Sequence, residues 1–351
     1  MKRYNYSLKV FRITFFILFT SLIISCNEKG ANKNKNMNAE SPKIPMTIVI
    51  HGGAGEIKRG FLTAEEEEEY RLKMKEALNA GYKIIENQGD AIDAVVATIQ
   101  VLEDSPLFNA GKGSVLTHEG DVSMDASIMN GEDINAGAVS GIKHVKNPIQ
   151  LARLVMDSSQ HVFLSGEGAE LFADKHHLEK KENDYFITPK RLEQLRRVLG
   201  EAGDNSMSII DKHGTVGCVV IDSKGNLAAG TSTGGMVNKE YGRIGDSPII
   251  GAGTFADNAS CAVSATGHGE YFIRLSVARN IADLMKYKGL SLAEASKEVI
   301  QNQLADLGGS GGIIALDKQG NFCFEFNTPG MYRAVKKEGK EAEVYFYEKM
   351  D

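Results

Sequence analysis

The apolar positions in the first folded part of the chain predict a strand followed by two helices. Residues 46–50 form a short apolar run that leads directly into the glycine-rich segment 51–55. Thr63 and Glu66 have the spacing of a capping box, and apolar residues recur after them at helical intervals. Residues 90–102 form a second helical stretch that is apolar on almost every side, which is typical of a buried helix. Strand, helix, helix is the opening of an α/β arrangement.

The middle of the chain changes from short apolar pieces to a long polar segment. Residues 106–143 are rich in Gly, Asn and Ser between short apolar runs, which predicts strands joined by tight turns. A helix is expected at about 148–156. Residues 175–211 are polar and charged, with one amphipathic piece after Thr188, and this composition predicts a mobile loop. Such a loop could swing aside if the chain were cut just after it.

Two similar strand pairs follow. Residues 218–231 and 313–327 each contain two apolar runs around a polar turn with a glycine, which is typical of a hairpin. Residues 270–302, between them, show two helical stretches. The order of sheet, helices and sheet predicts an α+β sandwich whose helices cover the strands.

Composition narrows the class of protein. The chain has 351 residues, of which 42% are hydrophobic, so it can bury a sizeable core as one large domain or two small ones. Its net charge of −6, with no basic stripe, argues against a nucleic acid partner. Cys218, Cys261 and Cys323 lie in apolar, strand-like contexts without zinc-site spacing. They are therefore predicted to be buried free thiols, with neither zinc nor a disulfide framework.

The amino terminus has the character of an export signal. Four basic residues precede the apolar stretch 13–24, which is short for a membrane span and typical of a signal peptide. Residues 23–26, Ile-Ile-Ser-Cys, resemble the lipobox of bacterial lipoproteins, which predicts removal of 1–25 and a lipid on Cys26. The expected location is then the periplasm or cell envelope, with a membrane anchor. The alternative is ordinary signal cleavage with Cys26 incidental. Residues 26–45 have the composition of a flexible tether, so the folded domain is expected to be 46–351.

Thr215 is the first candidate for chemistry. It follows Gly214 and opens the strand-like run 216–221. A threonine hydroxyl is a poor nucleophile without a base beside it, and the nearest base it could have is its own α-amine. That amine, whose ordinary pKa is about 7.7 to 8, exists only if the Gly214–Thr215 bond is cut. Gly214 lacks a Cβ and tolerates the strained backbone that such a cut needs. Taken alone, a Gly-Thr pair before a strand is usually only a turn.

A loop rich in glycine and proline carries two opposite charges. Arg243 and Asp246 lie three residues apart on it, where they could separately bind the carboxylate and the ammonium of an amino acid. The alternative is a surface ion pair. Just before this loop, residues 231–236 hold three hydroxyls and a glycine pair, more than a plain strand end needs.

Two more glycine-rich turns invite chemical interpretations. Residues 266–270, Thr-Gly-His-Gly-Glu, precede a predicted helix, so their backbone N–H groups suit a developing oxyanion. His268 and Glu270 could form a general base or metal site, although capping and packing are the commoner uses of such a pair. Residues 51–55 suggest nucleotide binding, but no Gly-Lys-Ser/Thr follows and the GxGxxG spacing is absent. Close backbone packing near Thr215 is the preferred explanation of these glycines.

Together these motifs resemble the plant-type L-asparaginases, also called isoaspartyl peptidases, within the N-terminal-nucleophile hydrolases. The likeness runs from about residue 48 to residue 333, apart from the polar segment before Thr215. Its marks are HGGAG at 51–55, PLFNAGKGSV at 106–115, HGTVG at 213–217, TSTGGM at 231–236, GRIGDSP at 242–248, GAG at 251–253, ATGHGE at 265–270 and LGGSGG at 307–312. The number of motifs and their order argue against a chance match.

The resemblance implies a role for each matching catalytic residue. Thr215 looks like the nucleophile, exposed by intramolecular cleavage after Gly214 to give an α subunit, 46–214, and a β subunit, 215–351. Thr233 matches the second threonine, whose hydroxyl lies beside the nucleophile. Thr266 and Gly267 match the oxyanion hole.

The resemblance also implies how substrate is held. Arg243 matches the residue that binds the substrate α-carboxylate, and Asp246 the one that binds its α-amino group. Gly269, with Thr266 and Gly267, completes the expected substrate-binding set. The implied reaction is attack on the side-chain amide or isopeptide carbonyl of an aspartyl unit, giving an acyl-enzyme that water releases as aspartate. No redox cofactor or catalytic metal is implied.

By resemblance the fold is a four-layer αββα sandwich, and the active form is a homodimer of αβ heterodimers. The loop 102–112 resembles the family's sodium-binding stabilisation loop, in which mostly backbone carbonyls hold a structural ion; Asn109 lies within it. The residues expected to supply these carbonyls are Leu102, Glu103, Ser105, Phe108, Ala110 and Lys112.

Two other functions remain open from the sequence. Glycosylasparaginases share the fold, the nucleophile and the Arg/Asp pair, but they typically show Asp-Thr-Ile-Gly and Thr-Asn-Gly where this chain has Gly-Thr-Val-Gly at 214–217 and Thr-Gly-Gly at 233–235. Both differences favour the isoaspartyl peptidase and asparaginase function. A protein of another class, a lipid-anchored amino-acid-binding protein that uses Arg243 and Asp246 without turnover, would keep an intact chain.

Overall fold

The fold consists of four layers, in the order helices, sheet, sheet, helices. The structure is a computed structural model of the chain, and it describes residues 45–200 and 214–347. These residues belong to one compact unit, Lys43–Asp351. The predicted signal peptide, Cys26 and most of the predicted tether lie outside the described residues. The predicted α+β sandwich is confirmed.

Two sheets form the middle layers. The strands of the described residues are β1 (Thr47–Gly55), β2 (Met124–Asn130), β3 (Ala136–Ile142), β4 (Phe163–Ser165), β5 (Val216–Ile221), β6 (Leu227–Thr233), β7 (Thr254–Ala256), β8 (Cys261–Gly267), β9 (Gly311–Asp317), β10 (Phe322–Phe326), β11 (Gly330–Lys337) and β12 (Glu343–Tyr347). The larger sheet has the order β12-β11-β1-β5-β6-β2-β3-β4, and the smaller one β10-β9-β8-β7. Neighbouring strands are antiparallel, except that β3 and β4 are parallel.

Helices cover the outer face of each sheet. Those described are α1 (Ala64–Glu86), α2 (Ala91–Glu103), α3 (Pro148–Ser158), α4 (Gly166–Lys175), α5 (Pro189–Val198), α6 (Gly269–Leu275), α7 (Val277–Lys288) and α8 (Leu292–Lys297), which continues as a π-helix, Glu298–Leu304. Helices α1, α2 and α3 pack on the larger sheet, and α7 and α8 pack on the smaller one. Thr63 and Glu66 form the predicted capping box at the start of α1.

The central strands are buried on both faces. In β1, Ile48 and Ile50 pack in the core under the helices, whereas Val49 packs in the core between the two sheets. Successive side chains of a strand point to opposite faces, so both faces demand apolar residues. The sequence therefore shows an uninterrupted apolar run there instead of an alternating one.

Both predicted hairpins are present and use the same turn. The Asp222 carboxylate accepts hydrogen bonds from the backbone N–H groups of Lys224 and Asn226, both at 2.9 Å. Asp317 does the same in the second hairpin. Aspartate is common in such turns because its carboxylate can accept hydrogen bonds from backbone N–H groups a few residues later in the chain. The first turn sets the register in which Val216 pairs with Ser232, which brings Thr215 next to Thr233.

The structure differs from the sequence prediction in the polar segment. Residues 183–198 contain a short 3₁₀ helix and α5, where we expected part of a mobile loop. Arg191 of α5 is buried, and its Nε donates to the carbonyl oxygen of Gly113 at 2.7 Å. A polar composition cannot reveal such a contact, because the acceptor lies far away in sequence. Residues 201–211 of the predicted loop lie outside the described residues.

The cysteines follow the prediction closely. Cys218 and Cys261 are buried free thiols, and burial raises the pKa of each. Cys323 is a free thiol as well but is only half-buried, and its Sγ donates to Ser296 Oγ at 3.1 Å. Within the described residues, no helix combines the length and the apolar character needed to cross a membrane.

Candidate active site

Two threonine hydroxyls meet at one end of the larger sheet. Thr215 directly precedes β5, and Thr233 is the last residue of the neighbouring β6. Thr215 Oγ1 donates to Thr233 Oγ1 at 2.9 Å, and both side chains are buried. Thr233 Oγ1 also accepts from the backbone N–H of Gly235 at 2.9 Å. These two hydrogen bonds hold the Thr233 oxygen beside the Thr215 hydroxyl.

The peptide bond between Gly214 and Thr215 is held from both sides. The backbone N–H of Asn109 donates to the carbonyl oxygen of Gly214 at 3.1 Å, and His51 Nδ1 lies 3.0 Å from the carbonyl oxygen of Thr215. Gly53 packs directly on Gly214: a Cβ added to it would come within 2.6 Å of the Gly214 Cα. This confirms the interpretation of segment 51–55 as a place of close backbone packing.

Asn109 connects the segments around the two threonines. Its side-chain Nδ2 donates to the carbonyl oxygen of Gly235 at 2.8 Å, and its Oδ1 accepts from the N–H of Val115 at 2.8 Å. Its backbone carbonyl accepts from the N–H of Gly234 at 3.0 Å. Sequence reasoning placed Asn109 in the expected ion loop and missed this role. The available signal was the motif around it, in which an amide residue directly follows the apolar run 106–108 and precedes a glycine-rich piece.

Arg243 and Asp246 lie together at the cleft, as predicted, but not as an ion pair with each other. Asp246 is buried, and its Oδ2 has no partner among the described residues. Burial raises the pKa of this carboxyl to about 7. Gly269 separates the two groups: a Cβ there would lie 2.9 Å from both Arg243 Nη2 and Asp246 Oδ1. A buried carboxylate oxygen without a partner, close to an arginine, suits a ligand that brings its own cation.

Glu270 takes a role that the sequence did not reveal. It accepts two hydrogen bonds from Arg243, from Nε and from Nη2, each at 2.9 Å. The same carboxylate lies 3.4 Å from His268 Nε2. The Arg243 guanidinium lowers the pKa of Glu270. Glu270 therefore stays ionised and orients the guanidinium, which is neither a capping role nor that of a base.

The two residues expected to form the oxyanion hole have different surroundings. Gly267 lines the cleft, whereas Thr266 is fully buried and its Oγ1 accepts from the N–H of Ala54 at 3.4 Å. The cleft is lined by Thr215, Thr233, Gly235, Met236, Arg243, Gly245, Asp246, Ser247 and Gly267. The expected nucleophile, second threonine and substrate ligands thus face one space.

The expected ion loop presents carbonyl oxygens to a crowded interior. A Cβ on Gly111 would lie 2.3 Å from the Glu103 carbonyl oxygen, and one on Gly113 would lie 2.8 Å from that of Phe108. Backbone carbonyl oxygens are ligands of hard cations in general, and here the Glu103 carbonyl already accepts from the N–H of Lys112 at 2.7 Å. No cluster of His, Cys, Asp or Glu suited to a metal occurs in the part of the chain that the structure describes.

The Glu103 side chain lies away from these carbonyls and joins three elements. Its Oε1 accepts from Ser232 Oγ on β6 at 2.6 Å and from the N–H of Ile149 on α3 at 3.0 Å. Burial raises the pKa of Glu103 to about 8. The side chain ties α2 to the strand that ends at Thr233, a function that its place in the sequence did not indicate.

Comparison with known proteins shows what the chain is similar to. Residues 44–346 match the Asparaginase_2 family, described as asparaginase. The chain is 50% identical to the isoaspartyl peptidase of Salmonella typhimurium over 82% of its own length and 94% of that protein. It is 49% identical to the isoaspartyl peptidase of Escherichia coli, covering 82% of this chain and 91% of that protein. It is 45% identical to the probable isoaspartyl peptidase/L-asparaginase 2 of Arabidopsis thaliana, covering 86% and 98%.

Proposed function

The chain belongs to the Asparaginase_2 family, and on that premise we propose that it is a self-cleaving threonine hydrolase of β-aspartyl dipeptides and L-asparagine. The observation that carries the proposal is the buried contact between the hydroxyls of Thr215 and Thr233, at a cleft that also holds Arg243 and Asp246. The relatives compared above are named for isoaspartyl peptidase or L-asparaginase. Their names do not favour a glycosylasparaginase or a binding protein without turnover.

The first step would be cleavage of the chain itself. Thr215 Oγ1 attacks the carbonyl carbon of Gly214; the C–N bond breaks, and the hydroxyl proton ends on the nitrogen. Water then hydrolyses the resulting ester and leaves a carboxylate on Gly214 and a free α-amine on Thr215. The N–H of Asn109, 3.1 Å from the Gly214 oxygen, is in position to stabilise the negative charge that develops there.

Turnover would use the same hydroxyl. The freed α-amine accepts the proton of Thr215 Oγ1 as the oxygen attacks the side-chain carbonyl of the substrate, and the leaving amine takes that proton. Arg243 holds the α-carboxylate and Asp246 the α-ammonium, so the reacting carbonyl is fixed beside Thr215. Gly267 and Thr266 are the proposed oxyanion donors. Water then releases L-aspartate from Thr215.

A direct test starts from purified protein without its first 25 residues. Intact mass and a denaturing gel should show two fragments, the smaller beginning at Thr215. Rates with a β-aspartyl dipeptide, L-asparagine and a glycosylasparagine should then rank the first two above the third. A permanently uncut chain that binds aspartate would favour the binding protein instead.

The close contact between Gly53 and Gly214 predicts a glycine requirement. Gly53 has a φ of +115°, and an added Cβ would meet the Gly214 Cα at 2.6 Å. Gly53→Ala is expected to cost about 1–3 kcal/mol in unfolding free energy and to slow cleavage. Gly55→Ala is the matched control, because no heavy atom lies within 4 Å of its would-be Cβ. Urea unfolding and a cleavage time course would check this; equal effects of the two variants would contradict it.

Asp246 predicts a pH dependence of ligand binding. Because burial raises its pKa to about 7, the carboxyl of the free protein is protonated below that pH and cannot pair with an ammonium. The Kd of L-aspartate is therefore expected to rise as pH falls below about 7, by up to about tenfold per pH unit. Competitive inhibition or calorimetry from pH 5 to 8 would measure it. Asp246→Asn should bind weakly with a flat profile; a wild-type Kd that is constant over this range would contradict the assignment.

The export signal supports a proposal about location. We propose that residues 1–25 are removed, that Cys26 carries a lipid, and that the enzyme is anchored in the cell envelope. The support is the sequence of residues 1–26. Membrane fractionation and mass analysis of the wild type and of Cys26→Ser would test it: the variant should leave the membrane fraction and lose the lipid mass.

The homodimer of αβ heterodimers and the structural sodium are proposed on the family resemblance. Light scattering of the cleaved protein should give twice the mass of one cleaved chain. Carbonyls of Leu102, Glu103, Ser105, Phe108, Ala110 and Lys112 would hold the ion, whose contribution is to fix the loop that carries Asn109. Replacing sodium with a large organic cation should then lower the unfolding temperature.

A further inference from the structure

A line of polar side chains crosses the apolar layer between the two sheets. The core there is otherwise built from residues such as Val49, Val219 and Val263. Five polar residues nevertheless lie in this layer with no exposed surface: His51, Ser127, Thr231, Thr254 and Ser264. Buried polar groups need hydrogen-bond partners, and these five find them in each other and in the backbone carbonyls of Thr215, Ser247 and Gly253.

The contacts alternate between the sheets. His51 on β1 lies 2.9 Å, through Nε2, from Ser264 Oγ on β8, which lies 2.7 Å from Thr231 Oγ1 on β6. Thr231 Oγ1 lies 2.5 Å from Thr254 Oγ1 on β7, which lies 2.8 Å from Ser127 Oγ on β2. Each step crosses from one sheet to the other.

The two ends of this line reach the two halves of the cleft. At one end, His51 Nδ1 is 3.0 Å from the carbonyl oxygen of Thr215. At the other end, Ser127 Oγ donates to the carbonyl oxygen of Ser247 at 2.6 Å. Ser247 follows Asp246 in sequence and itself lines the cleft. The line therefore joins the proposed nucleophile to the loop of a proposed substrate ligand.

The direction of the hydrogen bonds near His51 follows from chemistry. The Thr215 carbonyl oxygen can only accept, so the proton of the neutral imidazole must be on Nδ1. The ring is neutral because complete burial lowers its pKa to about 3. Nε2 is then an acceptor, and Ser264 must donate its one hydroxyl proton to it. Thr231 must in turn donate to Ser264, which leaves no proton for its 3.1 Å contact with the Gly253 carbonyl, and Thr254 must donate to Thr231. Because Ser127 gives its one proton to the Ser247 carbonyl, its contact with Thr254 carries no hydrogen bond, and the polarised row ends at Thr254. A row of hydroxyls polarised in one direction strengthens the last bond, the one to Thr215.

Gly217 leaves the space in which this arrangement fits. It pairs with His51 on one side and with Thr231 on the other, so the three residues lie in a row across the sheet. A Cβ on Gly217 would lie 2.0 Å from Ser264 Oγ and 2.2 Å from His51 Nε2. Ser264 of the opposite sheet fills that space and bonds to both neighbours of the glycine.

From this geometry we infer that His51 is a positioning residue for the nucleophile, held by the hydroxyls of Ser264, Thr231 and Thr254, and that the contact of Thr254 with Ser127 couples this row to the loop after Asp246. The inference rests on the proposed role of Thr215. Apolar side chains of similar shape would fill an inter-sheet core at little or no cost in stability, so packing does not require this row. Fixing the carbonyl of Thr215 limits rotation of the Thr215 backbone. Thr215 Oγ1 is thereby kept within hydrogen-bond distance of Thr233 Oγ1.

Two substitutions of His51 separate its two bonds. His51→Asn keeps an amide near the Nδ1 position, which can donate to the Thr215 carbonyl, and loses the bond to Ser264. His51→Gln places its amide near Nε2 and loses the donor to Thr215. We expect kcat and the cleavage rate to fall about 10- to 100-fold in His51→Gln and only a few-fold in His51→Asn. A role in filling space predicts the opposite order, because Gln is closer to His in volume; that order, or equal effects, would overturn the inference.

The far end of the row predicts a different kinetic change. Ser127→Ala removes the donor to the Ser247 carbonyl, and we expect KM to rise several-fold while kcat falls less than in His51→Gln. Ser296→Ala is the matched control, since Ser296 is equally buried but lies on α8 and contacts Cys323. An unchanged KM in Ser127→Ala, or the same change in Ser296→Ala, would contradict the coupling.

A measurement that does not depend on turnover distinguishes failure of the His51 positioning role from failure of the proposed hydrolase function. The ¹⁵N spectrum of histidine-labelled wild type, with His51 assigned by its absence in His51→Asn, should show a neutral ring protonated on Nδ1 from pH 5 to 9. A proton on Nε2 would overturn the positioning role, whatever the activity. If the ring is protonated on Nδ1 but the wild type neither cleaves nor hydrolyses, the proposed function fails instead, and the coupling to catalysis fails with it.

Discussion

Thr215→Ala is expected to yield one uncut chain with no measurable hydrolysis of β-aspartyl dipeptides. The substitution removes the hydroxyl that lies 2.9 Å from Thr233 Oγ1, and without it neither the bond after Gly214 nor a substrate carbonyl is attacked. Loss of a covalent nucleophile typically lowers kcat by about 10⁴-fold or more. A denaturing gel and a continuous dipeptidase assay would measure both effects. Cleaved fragments or residual turnover above background would refute the assignment.

Two controls separate chemistry from folding in this experiment. Thr215→Ser keeps the hydroxyl and is expected to retain cleavage and part of the activity. Thr47→Val removes another buried threonine hydroxyl, one that donates to the carbonyl oxygen of Pro45 at 3.0 Å, and lies far from the cleft residues in sequence. It should cost about 1 kcal/mol in unfolding free energy and leave cleavage intact.

Local signals predicted the hairpin that holds the two threonines, whereas the place of Thr233 beside Thr215 came from the family resemblance. The Asp222 turn fixes the register of β5 and β6, so Val216 pairs with Ser232, and Thr215 and Thr233 follow at the same end. The helix start at Thr63 and Glu66 was equally accessible, because a capping box depends on residues three apart. Such features are decided within one turn or hairpin and need no knowledge of how layers pack.

Contacts between the layers could not be predicted from such local sequence signals. The bond between His51 and Ser264 joins two sheets, and the glycine that makes room for it is a third residue, Gly217. The pairing of Arg243 with Glu270 depends on how a loop lies against α6. The burial of Asp246, which raises its pKa, depends on the same packing. The motifs contained all of these residues except Ser264, whereas their partners were set by how sheets, loops and helices pack together.

Arg243→Met is expected to separate the two reactions that Thr215→Ala abolishes together. Cleavage should go to completion, because Gly214 and Thr215 are held by Asn109, His51 and Thr233 and not by Arg243. Turnover should fall about a hundredfold or more in kcat/KM, mainly through KM, since a charged bond to the substrate carboxylate is lost and Glu270 loses both hydrogen bonds from Arg243. Arg153→Met is the control, because Arg153 on α3 is also partly buried and paired with two carboxylates.

The outcome of Arg243→Met also shows whether the Arg243 guanidinium binds mainly Glu270 or mainly the substrate carboxylate. Glu270 occupies Nε and Nη2 on one edge, so Nη1 and the second hydrogen of Nη2 remain for the substrate carboxylate. A small rise in KM would mean that Glu270, not substrate, is the main partner of Arg243 during turnover. A loss of cleavage would mean that Arg243 holds the Thr215 region in shape. A large rise in KM with complete cleavage fits only a residue that meets the substrate after the nucleophile has been released.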